Sequence, residues 1–172
     1  VGISSSDVFV SWLPLYHDMG LIGACLGSLY FGFPLVVMSP LAFLARPARW
    51  LWAIHRHRGT LSAAPNFAYE LCLRTVQDHD IEGLDLSSWR MTINGAEPVS
   101  PATVERFTAR FSRYGFRPEA MAPVYGLAEC SVGLALQPPN RGPTFDRIHR
   151  AAFMAGGQAA PATADDPNAL IF

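Results

Sequence analysis

An α/β fold, with a mostly parallel sheet and flanking helices, is what this sequence predicts, on three observations. Strand-like and helix-like stretches follow one another in regular turn along the chain. Prolines open the helical stretches and glycines close them. Half of the 172 residues are hydrophobic, enough to bury a sizeable core.

The first strand is DVFVSWLP, which ends at Pro14. The run Met19–Ala45 then carries no formal charge, and its length alone would suit a membrane span. Gly20, Gly23, Gly27, Gly32, Pro34 and Pro40 interrupt it, so it reads as a glycine-containing helix over about Met19–Phe31 followed by the buried strand PLVVM, with no membrane span. RPARWLWAIHRHRG is a helix with proline near its first turn and Gly59 past its end. The short strand TLSAA leads into a second proline-started helix, PNFAYELCLRTVQ. After a turn around Gly83 come the strand WRMTIN, the loop GAEPVS and a helix over about Pro101–Tyr114, capped by Ser100 and stopped by Gly115. EAMAPVYG is the next strand. In the tail beyond Pro138, Phe145, Ile148 and Ala152 recur at helical spacing, and Gly156–Gly157 ends that segment.

A net charge of −1, with basic residues scattered singly, gives no field for tracking nucleic acid. Cys25, Cys72 and Cys130 are odd in number, far apart and without a Cys-x-x-Cys pair. That excludes a disulfide framework or a zinc site and points to a reducing, cytoplasmic compartment. All 13 basic residues are arginine. An ammonium group needed for chemistry would have to come from outside this sequence.

Three strand ends coincide with unusual loops: LPLYHDMG, NGAEPVS and YGLAEC. In an open α/β sheet such loops gather around one crevice beyond the carboxyl ends of the strands. Gly95 and Ala96 lack bulk, so a flat ligand could lie on bare backbone there, although taken alone they are more simply an ordinary strand-to-helix turn. Glu97 is either a site residue or a solvated first-turn charge. His17 and Asp18 are either a surface pair or a polar pair facing a carboxylate or phosphate. Tyr125 either packs in the core or stacks on a base. Glu129 sits between GLA and the apolar run that begins at Ser131, a setting a solvated glutamate does not need.

In order along the chain, SWLPLYHDMGLIG, MSPLAFLARPARWLWAI, APNFAYELC, LDLSSWRMTINGAEPVS and YGLAE resemble the fatty acyl-AMP ligase branch of the adenylate-forming enzymes. The resemblance implies an enzyme that uses ATP and Mg²⁺ to convert a fatty acid to its acyl-adenylate and passes the acyl group to the phosphopantetheine thiol of an acyl carrier protein. It places the nucleotide on Asn94, Gly95, Ala96, Glu97, Tyr125, Gly126, Leu127 and Ala128, with Tyr125 stacked on adenine and Gly95–Ala96 on its other face. Glu129 would hold Mg²⁺ against the phosphates, and His17 would lie near the acyl carboxylate. Gly20 and Gly23 would border the acyl tunnel. Many adenylate-forming enzymes carry threonine where this chain has Ala128; alanine there is similar to the fatty acyl-AMP ligases and leaves one phosphate contact unassigned.

The same resemblance places a glycine-rich phosphate loop before Val1 and a lysine-bearing small domain after Phe172. The sequence then reads as an internal piece of the large domain, inactive alone. Residues 1–137 belong to the AMP-binding domain, and residues 138–172 resemble the insertion that separates acyl-AMP ligases from ligases that make acyl-CoA. The alternatives are an acyl-CoA ligase of the same superfamily or a nucleotide-binding module without turnover. A serine hydrolase is excluded by the lack of a Gly-x-Ser-x-Gly elbow.

Overall fold

The structure, a computed structural model, describes residues 2–138 and 140–171. Val1, Pro139 and Phe172, which fall at the edges of the two stretches expected from sequence, lie outside the described residues.

A six-stranded sheet organises the chain: β1 (Phe9–Ser11), β2 (Leu35–Val37), β3 (Leu61–Ala64), β4 (Met91–Asn94), β5 (Met121–Tyr125) and β6 (Ala135–Leu136), in the order β2-β1-β3-β4-β5-β6. The first five are mutually parallel and β6 runs antiparallel to β5. This is the α/β fold with a mostly parallel sheet that the alternation of elements predicts. The chain adds β2 on one side of β1 and then reverses to add β3 on the other, so a topological switch point lies between β1 and β3.

That reversal also sorts the helices, because right-handed crossovers of opposite direction cover opposite faces. A π-helix over Met19–Leu26, continued by α1 (Gly27–Phe31), joins β1 to β2 on one face. On the other lie α2 (Pro40–Ala45), α3 (Ala48–Arg56), α4 (Asn66–Thr75) and α5 (Pro101–Phe111). This second face holds the densest core. Trp50 meets Trp89 edge-on with ring centroids 5.2 Å apart and donates its indole N–H to Ser62 Oγ at 3.0 Å. Tyr69 packs on Phe107 and bonds Thr92 Oγ1 at 2.7 Å. Trp50 and Tyr69 thus bury their apolar bodies and bond their polar atoms to strand residues.

The single helix expected over Met19–Phe31 is two. Its first eight residues are π-helical, with the Gly27 N–H reaching back five residues to Ile22 O, and only the last five are α-helical before Gly32 ends them at φ 70°. Close packing explains the wider turn: a Cβ on Gly20 would stand 2.3 Å from Pro14 O, so the first turn is pressed against the chain leaving β1. The helix α2 was not expected, although Ser39 caps it by accepting from the Leu41 N–H and Pro40 opens it.

In the tail, β7 (Arg147–Ile148) pairs antiparallel with β8 (Leu170–Ile171), and α6 (Arg150–Gly156) lies between them. The expected helical spacing of Phe145, Ile148 and Ala152 is therefore corrected. Ile148 is a buried strand residue, and only Ala152 of the three is helical, because the pairing with Leu170 takes the backbone of Arg147 and Ile148. The stop holds as expected, with Gly157 at φ 67°. Phe145 packs on the main core, while the His149–Asp166 contact at 3.1 Å and the bond from Arg150 to Asn168 O bind the tail to itself.

Candidate active site

The chain leaves β1 buried through Leu13 and turns back at Pro14, whose carbonyl accepts from the His17 N–H at 3.2 Å. His17 starts the π-helix: its carbonyl accepts from Gly20 and Leu21, and its ring Nδ1 accepts from the Met19 N–H at 3.2 Å. With Nδ1 occupied as an acceptor, a neutral ring carries its proton on Nε2, which is left to donate. His17 and Asp18 form no ion pair with each other among the described residues.

The loop after β4 is tied to the start of α4. Asn66 Oδ1 accepts from the Ser100 N–H at 3.1 Å and from Asn94 Nδ2 at 3.4 Å, and Glu97 Oε1 accepts from the Phe67 N–H at 2.5 Å. Glu97, exposed, thus places one carboxylate oxygen at the positive end of a helix. Ala96 stands at φ +67°, an uncommon conformation for a residue with a Cβ. Asn94 is fully buried, and its Oδ1 has no partner.

The loop after β5 doubles back on itself. Leu134 donates to Tyr125 O at 3.0 Å, and Val132 donates to Leu127 O at 3.2 Å. A Cβ on Gly126 would lie 1.8 Å from Val132 O, so only glycine lets this return pass. Ser131 and Val132 pay with φ of +57° and +94°, the latter an outlier for a β-branched residue. Glu129 is exposed on the single 3₁₀ turn Ala128–Cys130 at the tip and has no hydrogen bond or ion pair among the described residues. The apolar run after it does not form the buried backing expected. Leu134 and Leu136 are exposed, and only Val132 packs on the core.

These loops enclose a cavity of about 230 Å³ over the switch point. Its deep wall comes from the sheet through Phe9, Ala63, Ile93 and Val124, its side from Met19 and Gly23 of the π-helix, and its mouth from His17, Asp18, Ala96, Gly126 and Leu127. Of the expected residues, His17, Gly23, Ala96, Gly126 and Leu127 are thus brought together. A Cβ on Gly23 would meet nothing within 4 Å. Gly20 does not line the cavity, being buried against Pro14. Tyr125, 62% exposed, lies on a neighbouring shallow cleft with Pro98 and Val99, and Val124 and Leu136 form the wall between the two. Gly95 packs on Val124, while Ala128 and Glu129 stand at the rim loop.

Sequence reasoning missed Asn66 and Phe9. Asn66 reads as an unremarkable first helical residue. Phe9 was legible, because alternation along β1 puts it on the face opposite Val10 and Trp12.

A peptide at Gly95–Ala96 without bulky side chains and an exposed tyrosine ring fit a planar base. No group of three or more His, Cys, Asp or Glu side chains able to hold a metal exists among the described residues. One exposed carboxylate fits Mg²⁺, which takes few protein ligands and most of its shell from phosphates and water.

An α/β domain with its crevice at a switch point and these three loops is matched among known proteins. Residues 1–158 match the AMP-binding enzyme family, and the chain belongs to it. It is 43% identical over 166 residues to the medium-chain-fatty-acid–acyl-carrier-protein ligase TtuA of Teredinibacter turnerae, covering 96% of this chain and 26% of that protein. It is 50% identical over 131 residues to the ligase of the same description, JamA of Moorena producens, covering 76% of this chain and 22% of that one. The crystal structure of a fatty acyl-adenylate ligase from L. pneumophila, in complex with acyl adenylate and pyrophosphate, superposes with a TM-score of 0.93 at 38% identity, over 98% of this chain and 30% of its own. The chain spans about a quarter of the length of the curated relatives it matches.

Proposed function

We propose that this chain is the part of a fatty acyl-AMP ligase that holds the acyl chain and one side of the nucleotide. The observation that carries the reading is the cavity over the switch point, apolar in depth and polar only at its mouth. An acid entering tail first leaves its carboxylate beside His17, whose Nε2–H donates to an oxygen and offsets part of the charge that repels a phosphate. The peptide at Gly95–Ala96 and the ring of Tyr125 would receive the base of ATP, and the Glu129 carboxylate would hold Mg²⁺, which would supply charge neutralisation at the phosphates and so lower the repulsion between two anions.

The product passes in this reading to the thiol of an acyl carrier protein, the partner in the names of TtuA and JamA. The three cysteines are free thiols, in keeping with a cytoplasmic protein, and no helix among the described residues is long and apolar enough to cross a membrane. The decisive experiment incubates the protein carrying this chain with ATP, Mg²⁺ and a fatty acid and measures pyrophosphate and acyl-AMP. Acid-dependent release of both supports the reading; nucleotide binding with no release replaces it with a binding module.

A further inference from the structure

Resting on that reading, we propose that Phe9 is the end wall of the acyl chamber and that it restricts the substrate to medium-chain acids of about eight to ten carbons. Phe9 opens β1 and pairs with Leu35 and Leu61, two residues before the level at which Ala63 pairs with Ile93. At about 3.3 Å per strand residue it stands roughly 7 Å deeper in the sheet than the Ala63–Ile93 row. His17, exposed on the loop beyond the carboxyl end of β1, lines the same cavity. Between the two ends the wall is kept open by Ala63 and by Gly23, whose missing side chain leaves free space. Phe9 is the lining residue farthest from the loops along β1, so a chain entering from the loops meets its ring last.

That ring is fixed. Phe9 is 3% exposed and stacks on Phe33, 6.3 Å between centroids at 14°, and Phe33 stacks in turn on Phe31 at 6.2 Å and 12°. Buried Phe33 backs the wall and half-exposed Phe31 lies behind it, so a longer chain moves Phe9 only by displacing a packed ring. At about 230 Å³ the cavity is larger than the roughly 150 Å³ that holds benzene, which leaves room for an alkyl chain of the medium class.

The test measures kcat/KM for acyl-AMP formation across acids from hexanoic to palmitic, in the full-length protein that carries this chain. The unaltered protein is expected to prefer decanoate to palmitate by roughly tenfold or more, since a chain too long for a closed pocket is rejected by that order. Phe9→Ala should shift the palmitate-to-decanoate ratio upward by roughly tenfold, and Phe9→Trp should move the optimum to shorter acids. Phe9→Leu, which keeps more of the core volume, should move the ratio the same way by less and stands in if the alanine variant does not fold. Equal use of decanoate and palmitate by the unaltered protein, or variants that slow every acid alike, overturn the proposal. No adenylate from any fatty acid overturns the ligase reading itself, and this inference with it.

Discussion

Gly126 is the residue at which one methyl group has the largest effect. Its missing Cβ is the space through which the Val132 carbonyl passes, at 1.8 Å from where that carbon would be. Gly126→Ala must open the loop that carries Glu129 and lines the cavity mouth with Leu127. The expected result is a fall in acyl-AMP formation of about 100-fold with little change in melting temperature, since displacing a positioned group by about 1 Å costs that much and the loop lies outside the core. Activity within a few-fold of the unaltered protein would show that the loop's path does not matter. Glu129→Gln poses the complementary question, keeping size and one oxygen ligand while removing the charge that suits a hard cation. Adenylation should drop by about two orders of magnitude. Turnover near normal at saturating Mg²⁺ would assign the residue no role. Glu97, by contrast, already bonds the Phe67 N–H, so Glu97→Gln is expected to alter stability and activity little, because an amide oxygen accepts the same bond.

At the scale of elements, the start of β1 is fastened to the start of β4 by Asp7 and Arg90. The guanidinium meets the carboxylate through two bonds of 2.7 Å, and Asp7 is nearly buried while also accepting from the Thr60 hydroxyl. Burial raises the carboxyl's pKa, but the bonds from Arg90, Ser4 and Thr60 outweigh it and lower the value from 3.8 to about 2. A group held below its unfolded value stabilises the fold above that value and ceases to as pH falls through the folded one, here between about pH 4 and pH 2. Asp7→Asn should therefore lower unfolding free energy by about 2 kcal/mol at neutral pH, with the gap closing as pH approaches 2. Urea unfolding at several pH values checks it, and a gap independent of pH would refute it. The strand and helix order was legible in the sequence because alternation and Pro/Gly punctuation report local preferences. The Ser100 cap, the Gly115 stop and the Gly157 stop all follow from side-chain chemistry within a few residues. The π-helix was not legible, since its cause is the contact of Gly20 with Pro14. Nor was the Asn66 bridge, which joins residues 34 apart in sequence. The strand in the tail was missed because Ile148 pairs with a residue more than twenty positions on.

On the scale of the whole molecule, the tail meets the main body through Phe145, which packs on the core, and Gly142, which lies against Pro118 and Glu119, and is otherwise held together by β7, β8 and the His149–Asp166 contact. A unit attached by so little can be removed without cutting into the sheet. If it acts as the barrier that its likeness to the ligase insertion implies, deleting residues 139–168 should leave acyl-AMP formation largely intact and raise transfer to free CoA. Adenylate without any acyl-CoA from the folded deletion variant would assign the barrier elsewhere. The reversal of strand order between β1 and β3 has a wider effect. It sends the tryptophan-rich packing of α3, α4 and α5 to one side of the sheet and the hollow beneath the π-helix to the other. Drift in the hollow, at Gly23, Ala63 or Ile93, is then free to change what is recognised while the opposite layer continues to hold the fold, so selection on diet and selection on durability act on separate sets of codons.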